Sequence, residues 1–318
     1  LFSILMKKDV KILLKKGGIF ITPIIIWIIV VVIVDPFNYF NISKSISQES
    51  KKESAQKLNS LLYNLIEFKN NPEPNIIIGD SRIRKLPTDR IKEITGDNYY
   101  TLHANAAKFN EIIDLFWEAN KYSKLENVIL GINFNIYNEY AYSDRVSDAK
   151  ELIENPMMYI FNQDILETVF LALKNHIIGI KKEPKRDGKK FWEYTINTTA
   201  KNQYSKWKKP KKILEKLKEV ETYCEEKNIN LTILIVPNHR DFHSRLVEFN
   251  LLEEEYLFKE EIKNFNNVID YDFHNEITNC KECFGDPLHT TDSVSRVIIE
   301  DIYIEKVLIG KIISNSNK

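Results

Sequence analysis

The stretch Asn75-Ile76-Ile77-Ile78-Gly79-Asp80-Ser81-Arg82 runs three β-branched apolar residues into a glycine, an acid and a serine. That order reads as a fully buried strand ending in a tight turn, which lifts a hydroxyl above the edge of a sheet. In open α/β sheets, ligand sites lie outside the carboxyl ends of the strands, where Ser81 would sit. Taken by itself, the stretch fits equally an ordinary strand-to-helix turn with Ser81 as a cap. A second stretch separates the two readings: Phe284-Gly285-Asp286-Pro287-Leu288-His289-Thr290, just before the last amphipathic segment. A serine needs a base to become nucleophilic, and the base needs an orienting carboxylate. Asp286 and His289 could supply both from one loop.

Working outward, Asn98 to Leu102 reads as the second strand and Glu111 to Tyr122 as a helix. Asn127 to Ile132 reads as a third, buried strand. A helix over Lys211 to Lys227 precedes a fourth strand, Leu231 to Pro237, and Asn267 to Tyr271 is a short fifth. The last helix is expected from near Asp292 through Ile312. Strands alternating with helices imply an α/β fold, a parallel sheet covered on both faces. Residues 144–210 lack strand runs and carry helical patterns, with Lys-rich loops around Lys181 to Lys190 and Lys206 to Lys212. They read as an insertion above the sheet.

Composition narrows the function classes. Lys and Arg balance Asp and Glu at 45 each, so net charge gives no argument for nucleic acid as a partner. Gly17 to Val34 carries no charge and has about the length needed to cross a bilayer core. Residues 1–16 hold Lys7, Lys8, Lys11, Lys15 and Lys16, whereas Asp35 follows the apolar run at once. By the positive-inside rule the basic tail stays cytoplasmic and everything after Asp35 is exported, giving a single-pass protein of the cell membrane. Val32-Ile33-Val34-Asp35-Pro36 offers no small-x-small cleavage site, which favours an uncleaved anchor. Residues 35–72 read as a stalk, with aromatics at the membrane boundary and then Leu58, Leu61, Leu62, Leu65 and Ile66 at helical spacing. The catalytic domain is expected over 73–318.

Acyl chemistry at a serine also needs donors aimed at a developing oxyanion. The backbone N–H of Ser81 or Arg82 and the side-chain amide of Asn133, just past the third strand, are the candidates. Each has a plainer reading, Asn133 as a turn residue and His289 as a cap, but all would fall at one end of a parallel sheet. Cys280-Lys281-Glu282-Cys283 lies directly before the Asp286 loop, and Cys224 stands alone. In an exported domain the close pair reads as a local disulfide. Zinc shared with His274 or His289 is the other reading, and free thiols follow if the compartment is reducing. Asn238-His239-Arg240-Asp241-Phe242-His243 follows the fourth strand and could line the cleft.

Gly79-Asp80-Ser81, Gly131-x-Asn133 and Asp286-x-x-His289, in that order, resemble three signature blocks of the SGNH (GDSL-like) hydrolase superfamily. No G-x-S-x-G elbow is present, which argues against the α/β-hydrolase alternative. The resemblance implies a three-layer, flavodoxin-like sheet with Ser81 as nucleophile, His289 as base, Asp286 as its orienter and Asn133 as an oxyanion donor. The second block departs from the family: Leu102 to Asn110 has no glycine to supply the usual backbone donor, with Asn105 as the possible second-block residue and oxyanion candidate, and the third block has Phe134 in place of its usual Asp. The anchor, with Asp35-Pro36-Phe37-Asn38 after it, is similar to the membrane-tethered subgroup typified by alginate O-acetylation and teichoic-acid D-alanylation accessory proteins. That subgroup implies a serine esterase or O-acyltransferase acting on acyl esters of a cell-envelope polysaccharide, beside a membrane-bound O-acyltransferase partner and without a cofactor. The alternative is a non-catalytic scaffold or glycan-binding partner of the same fold.

Overall fold

Apolar runs become strands where the sequence places them. In the computed structural model, which describes residues 2–181, 187–304 and 309–314, these are β1 (Asn75–Gly79), β2 (Tyr100–His103), β3 (Asn127–Ile132), β4 (Asn230–Ile235) and β5 (Val268–Asp270). A small hairpin, β6 (Phe284–Asp286) and β7 (His289–Thr290), and an edge strand, β8 (Lys311–Ile312), complete the set among the described residues. The main sheet has the order β2-β1-β3-β4-β5-β8. The first five strands are mutually parallel, and β8 lies antiparallel to β5. Contacts within the chain divide it into two units: Leu1–Ile66 with Lys150–Lys182, and Glu67–Ala149 with Glu183–Lys318.

The second unit holds the sheet, with helices on both faces. Ile77, Ile129, Leu234 and Ile269 present one face to Ile91 of the Thr88–Thr95 helix and to Val294, Ile298 and Ile299 of the Asp292–Tyr303 helix. The Phe109–Tyr122 and Ile213–Lys227 helices pack together on the other side, against β1 and β4. Strands buried on both faces read as continuous apolar runs, which is why β1 and β3 are so legible. Two glycines set the height of the turn after β1. Gly79 and Gly131 follow the register partners Ile78 and Leu130, and Ile83 sits directly over both. A Cβ on Gly131 would lie 2.2 Å from Ile83 Cγ2 and one on Gly79 2.9 Å from Ile83 Cγ1, so only glycines admit this packing.

The chain end differs from expectation. The last helix stops at Tyr303 rather than continuing through Ile312. Asp301 Oδ2 accepts the backbone N–H groups of Ile309 and Gly310, both at 3.0 Å, and turns the chain back along β5. Gly310 then passes against the Tyr271 ring, too close for any side chain. Of the Lys-rich loop expected around 181–190, residues 182–186 lie outside the described residues, and Gly188–Tyr194 is already helical.

The first unit is helical. Within the Phe2–Val34 helix, Lys16–Val34 has a mean hydropathy of 2.9 and is long and apolar enough to cross a membrane, which supports membrane association. Asp35 follows in the left-handed region, φ 41°, and its carboxylate accepts the N–H groups of Tyr39, Phe40 and Asn41. Burial raises the Asp35 carboxyl pKa, against the lowering effect of these N–H groups and of Lys51. The Gln48–Asn70 helix carries the expected stripe, but Asn59 interrupts it at φ −146°, ψ 78° and accepts the Leu62 N–H like a helix cap. The break shifts the phase of the stripe. Leu61, Leu62, Leu65 and Ile66 are buried, whereas Leu58, before the break, is exposed.

Candidate active site

Ser81 lies in the turn directly after β1, half-buried, at the carboxyl edge of the sheet. Its Oγ is 2.8 Å from His289 Nε2. On the other side of the ring, His289 Nδ1 lies 2.9 and 2.8 Å from the two carboxylate oxygens of Asp286. Asp286 and His289 are cross-strand partners in the β6–β7 hairpin, joined by Pro287-Leu288, rather than two residues of an irregular loop. The Leu288 N–H donates to Asp286 Oδ1 as well. Burial by itself would raise the Asp286 pKa; the hydrogen bond and charge of His289, with the backbone N–H groups of Leu288 and His289, more than offset it and hold the carboxyl below its usual range. An ionised Asp286 fixes the proton on Nδ1 and leaves the Nε2 lone pair for the Ser81 hydroxyl, which therefore donates.

The hairpin is braced from two directions. Cys280 and Cys283 form a disulfide immediately before it, and the Thr291 N–H donates to the Cys283 carbonyl. From the β4 side, the His239 N–H donates to the Pro287 carbonyl, and the His239 ring packs edge-on against Trp192 and Phe284. His239 is buried behind the hairpin rather than lining a cleft, and that burial lowers its pKa. Cys224 is a free, buried thiol on the Ile213–Lys227 helix, its pKa pushed up to about 12 by burial.

Two of the expected oxyanion donors are otherwise engaged. Asn133 is 1% exposed, and its amide donates both protons, to the Val236 carbonyl at 2.7 Å and to Asp272 Oδ2 at 2.8 Å. Its Oδ1 accepts from the Asn135 N–H and from Asn238 Nδ2. The side chain ties together the ends of β3, β4 and β5 and has no proton left for a substrate. The Arg82 N–H donates to Asp80 Oδ1 at 2.9 Å, and the Arg82 guanidinium pairs with the Asp80 carboxylate and donates to Asn135 and Asn238. The Ser81 N–H has no acceptor among the described residues. Asn105 is exposed, and its carbonyl accepts from Arg145 at 3.2 Å.

The residue after it, Ala106, holds φ 53°, the left-handed conformation that glycine adopts freely. Arg145 fixes this turn: it donates to the carbonyls of Asn105 and Ala106 and pairs with buried Glu111 at 2.7 Å. Because a trans peptide points its N–H opposite to its carbonyl, the Ala106 N–H is directed away from Arg145.

Ser81, His289 and Asp286 open on a cavity of about 380 Å³. Its walls carry Asn138, Thr195, Thr199, Asn202 and Gln203, with the rings of Tyr140, Phe191 and Tyr194 and the half-buried Lys108. Burial lowers the Lys108 ammonium pKa. Several of these residues come from one helical stretch, Gly188–Tyr194 continued by a π-turn at Thr195–Thr199 and by Ala200–Tyr204. None of these wall residues was a candidate from sequence, and neither were Asp80, Asn135 or Asp272; Asn238 was expected only in a segment that could line the cleft, and it instead binds Arg82, Asn133 and Asp272. The one signal for Asn135, Asn238 and Asp272 was local: each is a polar residue shortly after a core strand.

No protein-family model and no curated protein matches the chain. Among solved structures, one provisionally described as a platelet activating factor from Streptococcus pneumonia aligns with a TM-score of 0.39 and 10% identity, over 81% of this chain and 97% of that one.

Proposed function

We propose that the chain is a membrane-anchored SGNH-type serine esterase or O-acyltransferase that handles acyl esters of a cell-envelope polysaccharide. The observation that carries this reading is the relay Ser81 Oγ–His289 Nε2, 2.8 Å, with Asp286 on His289 Nδ1, opening on a cavity at the carboxyl edge of the sheet. The strand order supports it, since β1 and β3 flank the point where a doubly wound sheet reverses direction and ligands bind.

In this reading Ser81 Oγ attacks the acyl carbonyl while His289 Nε2 takes its proton, and Asp286 stabilises the resulting imidazolium. The tetrahedral oxyanion is met by the backbone N–H of Ser81 and, from the opposite rim, that of Ala106. Collapse expels the alcohol, which recovers the proton from His289 and leaves the acyl group on Ser81. Water or a sugar hydroxyl, deprotonated by the same imidazole, then releases the acyl group. A wall of amides, hydroxyls and aromatic rings suits a sugar ring, which offers hydroxyls at its edge and C–H bonds on its faces. The lysines before the apolar span and the disulfide after it both favour an exported domain with a cytoplasmic N-terminus. The subgroup resemblance adds a multispanning O-acyltransferase partner.

The test is ester turnover by the full-length protein with a nitrophenyl acetate. Ser81→Ala and His289→Ala should each lower kcat by at least about a thousandfold, and together cost little more than either alone. A fluorophosphonate should label Ser81. A folded Ser81→Ala protein with undiminished turnover would leave the scaffold reading in its place.

A further inference from the structure

The Gln163–Ile178 helix buries one stripe, Ile165, Thr168, Val169 and Ala172. A second stripe is apolar and bare: Leu166, Phe170 and Ile177 are 42%, 59% and 77% exposed. These three lie four and seven residues apart, on one side of the helix. The short helix before it, Pro156–Ile160, and its C-cap add exposed Met157 and Phe161. Single exposed apolar residues are ordinary, but a contiguous set on one element marks a contact surface.

Its position against the membrane-length helix indicates what it contacts. Trp27 stacks on Phe170, ring centroids 6.3 Å apart, and the Trp27 indole N–H donates to the Ile160 carbonyl at 2.9 Å. Trp27 lies seven residues before Val34. At a rise of about 1.5 Å per residue it sits about 10 Å inside the apolar segment. Ile24, Ile25 and Ile29 of the same segment are exposed like Phe170, so the bare stripe continues a surface that already belongs in lipid. Nearer the end of the span, Phe37, Tyr39 and Phe40 pack around Tyr159, at the level where amphipathic rings mark a membrane boundary. Asp164 and Asn175 turn away from the stripe, the first accepting from Asn59 and the second donating to Ser54, while exposed Gln163, Glu167 and Lys174 flank it as the polar border of an amphipathic helix.

We propose that residues 156–178 form a second membrane-contacting element, an amphipathic helix pair lying in the bilayer boundary where the span emerges, with Leu166, Phe170 and Ile177 among the acyl chains. The depth of Trp27 matches the roughly 5–10 Å to which interfacial helices sink. The element holds the first unit to the membrane at two places, by a span and by a flat helix. Nothing in it depends on the chemistry at Ser81.

The experiment uses the full-length chain in vesicles of phosphatidylcholine and phosphatidylglycerol. Leu166→Cys, Phe170→Cys and Ile177→Cys are each labelled with a bimane, with Tyr256→Cys, an exposed site in the second unit, as control. Lipids carrying doxyl groups should quench the three labels at least about threefold more than the control, and iodide should quench them less. Leu166 and Ile177 do not stack on Trp27, so they keep the test valid if Phe170→Cys disturbs that contact. Quenching by iodide at the level of the control would overturn the proposal. So would shielding from both quenchers, the signature of a covering protein or a second copy.

Discussion

At the scale of single residues, Asn133 and Ala106 both behave differently from what their places in the sequence suggest. An asparagine after a core strand looks like a donor for substrate, yet all its hydrogen-bonding capacity goes to Val236, Asp272, Asn135 and Asn238. Releasing it would leave the buried Asp272 carboxylate short of a donor, which costs more than one hydrogen bond gains. Ala106 looks inert, yet it carries strain. A left-handed alanine costs about 1–2 kcal/mol, partly offset in a comparison with glycine by the greater freedom glycine loses on folding. Ala106→Gly should therefore raise stability by about 0.5–1 kcal/mol, read as a higher urea midpoint at unchanged slope. A lowered midpoint would mean that the Arg145 clamp tolerates φ 53° without cost.

At the scale of elements, the serine turn depends on a three-body contact between β1, β3 and Ile83. The absence of two Cβ atoms lets Ile83 drop onto the sheet, and Ser81 sits two residues before it. Gly131→Ala would drive a methyl into Ile83 at 2.2 Å, far inside any real contact, so Ile83 and the turn must move. The expected cost is about 1–3 kcal/mol in thermal or urea unfolding, accompanied by slower fluorophosphonate labelling of Ser81. Ile83→Ala removes the clashing methyl, so the double variant should be more stable than the sum of the two single losses. Strict additivity would show that the clash is relieved elsewhere. The hairpin carrying Asp286 and His289 has its own supports, the Cys280–Cys283 bridge on one side and the His239 N–H on the other.

At the scale of the whole molecule, the question is which side of a membrane the sheet occupies. Five lysines precede the apolar run and none lies within it. On the proposed reading, the positive-inside rule puts the chain after Asp35 outside the cytoplasm, where a disulfide would persist. A C-terminal alkaline phosphatase fusion should be active in cells and a fluorescent protein fusion at the same place dark. The reverse pattern would put the Ser81 cavity in the cytoplasm and remove extracytoplasmic polymers as substrates.

The amino-acid sequence by itself determined what depends on neighbours along the chain. Three isoleucines before Gly79, and Val-Ile-Leu before Gly131, specify buried strands because alternation with polar residues is missing. Eighteen uncharged residues, Gly17 to Val34, specify a membrane-length helix. Asp286 and His289, three apart with Pro287 between them, leave few ways to avoid facing each other across a turn. The tertiary structure alone decided the rest. The kink at Asn59 moved Leu58 off the buried stripe, and the helix that the apolar pattern would have continued stops at Tyr303, with Ile309 and Gly310 held on the Asp301 carboxylate. The donors spent by Asn133 were also settled there, because its acceptors lie at the ends of other strands that meet only once the sheet has formed, whereas the Arg82 N–H is spent locally on Asp80. Hydrophobic periodicity is written in adjacent residues, whereas the direction of a side-chain amide is set by partners up to 139 positions away.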